Sequence, residues 1–249
     1  METQLTFTTQ GLVIKELNVG EIDRLVTIFT KEYGILKAYA SGVKSIKSKR
    51  ASGCSLLTYS SFTIKRKGEN YRITEAEPIS SFFTMGMDVE VLSLCQYFCE
   101  LSLVFVERMI PNEEFLRLIL NSLHFISTGK KNPYLIKAIT ELRIATIAGY
   151  MPDLIACEGC GMFEDDIMLF RLTDGKLFCR DCDKGDLSLF INKTMLKAMR
   201  HIVFSEFNNL YSFDIPEEAA KNLSDLTEKY IKIQTEHNYL TLDFLYSII

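Results

Sequence analysis

"LTYSSFTIKRKGENYRITEAEPI", residues 57–79, reads as a hairpin. "LTYSSFTIKR" and "YRITEAEPI" are strand-like, and "KGEN" between them supplies Gly68 for the positive φ of a tight turn. Working back toward the N-terminus, "LVIKELNV" and "DRLVTIFT" flank a second turn, "NVGE", built on Gly20. "GILKAYASG", introduced by Gly34, is a third candidate strand. Five short strands within residues 1–80, and no long helix, suit a small closed or partly open barrel. The five-stranded oligonucleotide-binding (OB) barrel is the natural candidate. An SH3-like barrel has a similar strand count, and pattern alone does not separate the two.

Past residue 84 the period changes to that of helices. "MDVEVLSLCQYFCELSLVFVERMI" puts Val89, Leu92, Cys95, Cys99, Ser102 and Val106 along one stripe and predicts a helix that ends before Pro111. "NEEFLRLILNSLHFIST" predicts a second, with Asn112 as N-cap and Gly129 as stop, and "PYLIKAITELRIATIAG" a third, with Pro133 in its first turn and Gly149 closing it. "NKTMLKAMRHIVFSEF" and "PEEAAKNLSDLTEKYIKIQTEH" are also helical. The expected class is therefore α+β multidomain. An OB barrel over residues 1–80 precedes an all-α bundle over 81–249, and a cysteine module over 151–188 is inserted in that bundle.

The inserted segment holds the sharpest chemistry. Cys157 and Cys160 form one CxxC, Cys179 and Cys182 a second, with 18 residues between the pairs. Each CxxC lets two thiolates converge on one ion, and two such knuckles complete a tetrahedral site. This is zinc-ribbon spacing. Four sulfur ligands leave no position for water, so one structural Zn2+ per chain is expected, not a catalytic one. Redox dithiols are the competing reading, but a redox CxxC needs one pair beside a thioredoxin-like unit, which is not evident here. Cys95 and Cys99, four apart on the apolar side of the first helix, read as small core residues. Cys54 is uninformative.

Composition bounds the rest. The chain has 249 residues, 47% hydrophobic and 24% charged, in the ordinary soluble range. Net charge is −4, yet residues 1–80 carry 12 Lys+Arg against 8 Asp+Glu. A basic front on an acidic body points to a polyanion meeting the first third. The N-terminus lacks a basic start followed by an apolar core, and the most apolar window, 89–110, is broken by Glu90, Gln96, Glu100, Glu107 and Arg108. A cytoplasmic protein is expected, and seven cysteines there do not make a disulfide framework.

No catalytic constellation emerges. His124, His201 and His237 are scattered among helices without carboxylates at ligand spacing. "STGKKN" resembles a phosphate loop only faintly, because His124 stands where that loop needs glycine and no Ser or Thr follows the lysine. A non-enzymatic protein is expected. A zinc-dependent hydrolase would need an open metal position, which four thiolates do not leave.

The basic residues gather instead on two loops and their adjoining strands: Lys37, Lys44, Lys47, Lys49, Arg50, Lys65, Arg66, Lys67 and Arg72. Four of them lie in "SGVKSIKSKRASG", residues 41–53, whose small residues predict a mobile arm at the edge of the barrel's binding face. Neutralising phosphates with such groups releases counterions and gives sequence-independent, salt-sensitive binding. Tyr39, Tyr59, Phe62 and Tyr71 are interleaved with them, as base-stacking surfaces or as barrel core.

Four stretches resemble the bacterial recombination-mediator family RecO. They are the opening "GLVIKELNVGEIDRLVTIFTKEYGILKAYASGVKS", the barrel exit "ITEAEPISSFF", the lead-in "AGYMPDLIACEGCG" and the closing "FCRDC". The likeness covers essentially the whole chain, and the lead-in joined to the cysteines is its most specific part. "CSLLTYSSF" departs from the family's usual Leu-Gln-Pro-Phe at the start of the fourth strand. The resemblance implies an OB domain, a helical domain and a zinc module. It implies binding of single- and double-stranded DNA, annealing of complementary strands, and help in loading RecA together with RecR. It also implies recognition of the acidic tail of single-stranded DNA-binding protein, for which Lys137, Arg143, Lys197 and Arg200 are the guessed pocket rim. The rival reading is a zinc-containing scaffold whose barrel binds protein instead of DNA.

Overall fold

The computed structural model describes residues 5–85, 87–183, 185 and 187–248. Five strands open the chain: β1 (Leu5–Val19), β2 (Asp23–Thr30), β3 (Gly34–Ala40), β4 (Thr58–Lys67) and β5 (Asn70–Ser81). They form a closed barrel in the order β1-β2-β3-β5-β4, the OB arrangement expected from the sequence. β4 and β5 meet around Gly68 (φ +58°), with Lys67 opposite Asn70, so glycine supplies the backbone geometry the hairpin needs. Bulges in β1 between Val13 and Lys15, and in the β4–β5 ladder at Tyr59/Ser60 and Thr63/Ile64, bend the strands enough to close. The interior is a single apolar cluster that includes Val13, Val26, Ile28, Leu36, Phe62, Ile64 and Ile73.

Residues 41–53 are tied to the barrel at several points, where the sequence predicts a mobile arm, although side chains such as Lys44, Ile46, Lys47 and Lys49 stay exposed. Val43 is 1% exposed and joins the barrel core together with Cys54. The Lys44 N–H donates to the Ile22 carbonyl at 2.9 Å, and the Gly42 N–H to the Asp23 carboxylate at 2.6 Å. Arg50 reaches the carbonyls of Ser41 (2.6 Å) and Ile73 (2.7 Å). Small residues serve here to make successive turns, and the apolar Val43 anchors them.

Six helices follow: α1 (Val89–Phe105), α2 (Glu113–Ser127), α3 (Pro133–Ile147), α4 (Lys193–Phe204), α5 (Glu217–Thr235) and α6 (Leu240–Ile248). Asn112 caps α2 by accepting from the Phe115 N–H, and Pro133 begins α3, as the sequence predicts. α1 ends at Phe105, before Pro111 as the sequence predicts. Val106 is already extended and Arg108 bridges to Gly34 and Ile35 of β3. Val89, expected on the buried stripe, is exposed, whereas Tyr97, Phe98 and Leu101 are buried. Between α3 and α4 lies a three-stranded sheet, β7-β6-β8, formed by β6 (Ile167–Arg171), β7 (Lys176–Phe178) and β8 (Ser188–Asn192).

Packing groups the chain into two compact units, residues 1–128 with 239–249, and residues 129–238. In the first, α1, α2 and α6 accompany the barrel. Tyr97 meets Tyr239 edge-on at 5.4 Å, and Glu100 caps α6 by accepting from the Leu240 and Thr241 N–H groups. In the second, α3 and α5 enclose Lys137, which is 3% exposed and bonded to Glu141 (3.0 Å) and Glu228 (2.8 Å). Among the described residues no helix is long and apolar enough to cross a membrane.

Candidate metal centre and nucleic-acid interface

The four cysteines of the two CxxC pairs converge. Their sulfurs all lie within 4.8 Å of one another, and Cys160 Sγ and Cys179 Sγ are 3.8 Å apart. A tetrahedron with metal–sulfur arms of about 2.3 Å has sulfurs about 3.8 Å apart, so the cluster fits a single ion of that size. Local chain geometry aims the thiols inward. The Cys157 N–H donates to the Met162 carbonyl and the Gly161 N–H to the Cys157 carbonyl, both at 2.8 Å, closing the first knuckle. The second closes with the Cys182 and Asp183 N–H groups on the Cys179 carbonyl. A Cβ on Gly159 would stand 2.7 Å from Cys182 Cβ, so only glycine lets the knuckles approach.

Electrostatics favour an ion as well. Burial alone would raise the Cys157 pKa, but backbone N–H groups, led by that of Cys179 at 3.2 Å, bring it down to about 6. Hydrogen bonds with Cys179 and Cys160 push Cys182 up to about 12. The sulfurs share protons, and a bound cation is what lets all four be thiolates. From β6, Arg171 stacks on the Phe178 ring at 3.8 Å and binds Asp183 at 3.1 Å, bracing the second knuckle. Sequence reasoning missed it, because nothing in the spacing ties β6 to Asp183. The remaining cysteines are packing residues. Burial raises Cys54 to about 11 and Cys95 to about 12, and Cys99 further still.

The nine basic residues expected at a nucleic-acid interface separate into two groups. Arg50 is committed to the Ser41 and Ile73 carbonyls, and Arg66 donates to the Gly68 carbonyl at 2.9 Å while lying over Tyr71. Lys37, Lys44, Lys47, Lys49, Lys65, Lys67 and Arg72 are exposed. None of these seven forms an ion pair with a described residue, whereas Lys31, Lys131, Lys176 and Lys193 each sit within 3.2 Å of a carboxylate. Register places three of them across one wall. Lys37 lies two residues before Tyr39 on β3, Tyr39 pairs with Arg72 on β5, and Arg72 pairs with Lys65 on β4. Like charges directly opposite on a ladder are destabilising. Lys47 and Lys49 instead line a cleft of about 560 Å³ beside β5 that also holds Glu75 and Glu77. Those carboxylates make the cleft a weaker anion site than the wall.

Of the interleaved aromatics, Phe62 is core, while Tyr71 packs partly against the core and meets Phe7 edge-on. The half-buried Tyr59 donates to Gln10 at 3.1 Å, and Tyr39 stands 43% exposed. The guessed rim of a tail pocket does not share one exposed surface, because Lys197 is exposed and Lys137 is not. Lys137 is buried, Arg143 donates to the carbonyls at the end of α4, and Arg200 is held by the Leu154, Ile155 and Phe163 carbonyls. His201 bonds the Asn209 carbonyl and packs on Phe213.

Residues 1–82 match the family described as Recombination protein O N terminal, and residues 87–243 the one described as Recombination protein O C terminal. The chain belongs to the RecO family. Among relatives named DNA repair protein RecO, that of Acetivibrio thermocellus is 34% identical over 240 residues, 95% of each chain. That of Caldicellulosiruptor bescii is 27% identical over 237 residues, 95% of this chain and 96% of the relative. The RecO matches divide between residues 82 and 87, where β5 has ended and α1 has yet to begin.

Proposed function

We propose that this RecO-family chain is a DNA-repair protein that works without covalent chemistry. It binds single- and double-stranded DNA, brings complementary strands together, and with RecR helps RecA onto DNA in the bacterial cytoplasm. The observation that carries the reading is the Lys37, Arg72 and Lys65 wall, where cations have no ion pair with any described residue in a chain that has 32 carboxylates to offer. Stability would favour pairing them, and a polyanion explains leaving them free. Annealing needs two polyanionic strands held close with repulsion screened and bases free to pair, which diffuse phosphate contacts supply. RecR and the acidic tail of single-stranded DNA-binding protein enter this reading through the family alone.

In the same reading the cysteine cluster holds one Zn2+, which supplies cross-linking and no reaction. Cys157, Cys160, Cys179 and Cys182 fill a tetrahedron, and the two knuckles and the β6–β7 hairpin between them depend on it for their geometry.

The reading is tested by annealing of fluorescently labelled complementary strands. The protein is expected to accelerate annealing at low salt and to lose that effect when Lys37, Lys65 and Arg72 become alanine. Equal acceleration by the variant would sink the assignment.

A further inference from the structure

The wall that carries Arg72 and Lys65 continues on its other side into apolar surface. Across the barrel, Leu17 on β1 pairs with Leu25 on β2, Leu25 with Tyr39 on β3, Tyr39 with Arg72 on β5, and Arg72 with Lys65 on β4. Leu17 is 50% exposed and Tyr39 43%, while Leu25 is half-buried between them. With strands about 4.8 Å apart, the row runs roughly 19 Å along the barrel wall. One half is apolar and ends in an aromatic ring; the other half is cationic. Farther along β2 and β3 the same wall is closed, because Phe29 and Ile35 are buried and Phe29 meets Phe115 of α2 at 5.9 Å. The helices therefore cover one end of the wall and leave the Tyr39 end open.

We propose that Tyr39, with Leu25 and Leu17 beside it, is the base-stacking platform of a single-strand track whose phosphates meet Lys37, Arg72 and Lys65. Tyr39 would thereby favour single strands over duplex on this wall. This rests on the DNA-binding reading above and assigns it a discriminating residue. Cations alone attract either form, because both present phosphates. An exposed ring favours only a base whose face is free, and a duplex keeps its base faces stacked inside. Tyr39 is the one of the four interleaved aromatics whose ring is neither in the core, packed against it, nor tethered to a neighbouring side chain. Its phenol makes no hydrogen bond with the described residues, so the ring is positioned by the strand alone. An acidic, apolar peptide would meet the same cations but carries no nucleobase to stack.

The test is anisotropy titration with three probes of equal length: an oligothymidylate, an abasic deoxyribose-phosphate strand, and a duplex. Tyr39→Ala is expected to weaken the oligothymidylate about 5- to 100-fold, the loss typical of removing one stacking partner. The abasic strand and the duplex should change less than about twofold, since both bind through their phosphates. Tyr39→Phe should keep wild-type binding of all three. Tyr39→Thr, which suits a strand, gives the same readout if the alanine variant folds poorly. Equal loss on all three probes, or no loss on any, overturns the role of Tyr39 while wild-type binding keeps the DNA reading intact. Wild-type failure on every probe overturns both.

Discussion

Tyr39 of β3 and Arg72 of β5 form the parallel bridge at which the barrel closes, and both side chains stand outside it. Closure uses their backbones, so side-chain changes on this wall alter surface chemistry and shift stability only modestly, without changing the topology. Arg72 also faces Lys65 across the β4–β5 ladder. Lys65→Glu converts a like-charge pair into an opposite-charge pair, which should stabilise the barrel by about 0.2–1 kcal/mol. The same change should weaken DNA binding. Thermal melts and titrations on one preparation check that the two move in opposite directions.

Metal removal should act locally. Chelation is expected to leave the barrel's circular dichroism intact while residues 151–188 become sensitive to protease, and added Zn2+ should restore protection. Gly159→Ala pushes a methyl against Cys182 and should raise the rate at which a chromophoric chelator extracts the metal. An extraction rate equal to wild type would mean that the knuckles do not approach as described.

The buried ion cluster in the second unit makes a separate prediction. Lys137→Met removes the buried cation that Glu141 and Glu228 share, although Glu228 keeps Lys232 at 2.8 Å, and breaking a buried pair this way costs about 3–5 kcal/mol. Burial would lower the Lys137 pKa, but the two carboxylates overcome it and hold it above the ordinary lysine value. As far as Lys137 titrates, its contribution is therefore complete at neutral pH and is lost as pH rises from the ordinary lysine value through the raised one. Denaturant melts of wild type and variant should show a difference that stays constant from neutral pH to about pH 9, below the ordinary lysine pKa.

Arg50 is expected to matter as a clamp. Its two hydrogen bonds tie the start of the loop, at the Ser41 carbonyl, to β5, at the Ile73 carbonyl, and a single ammonium cannot replace a forked guanidinium there. Arg50→Lys should therefore behave like Arg50→Ala, loosening residues 43–54 in hydrogen exchange. Protection equal to wild type in the lysine variant would show that charge, not geometry, is what counts.

The parts of the fold that depend on neighbours in sequence are legible there. Gly68 announces its hairpin, Asn112 and Pro133 their helix starts, and the CxxC spacing the cysteine cluster, because each is a local demand of backbone or ligand geometry. What escapes depends on distant partners. The Tyr39–Arg72 bridge joins residues from different hairpins, and Arg108 leaves α1 early to meet β3. α6 is ordered by Glu100, about 140 residues away in sequence. Composition identifies Arg50 and Lys65 alike as basic. Only the structure separates the one committed to carbonyls from the one left facing solvent.

Cations on the β3–β5–β4 wall that pair with no described residue are held to bind phosphate, and single-strand affinity over a salt series measures this most directly. The comparison is between wild type and the Lys37, Lys65 and Arg72 triple alanine variant. Log K should fall linearly with log salt, with a slope made shallower in the variant by about 0.7 for each phosphate no longer neutralised. A slope near zero in wild type, or the same slope and affinity in both proteins, would contradict it.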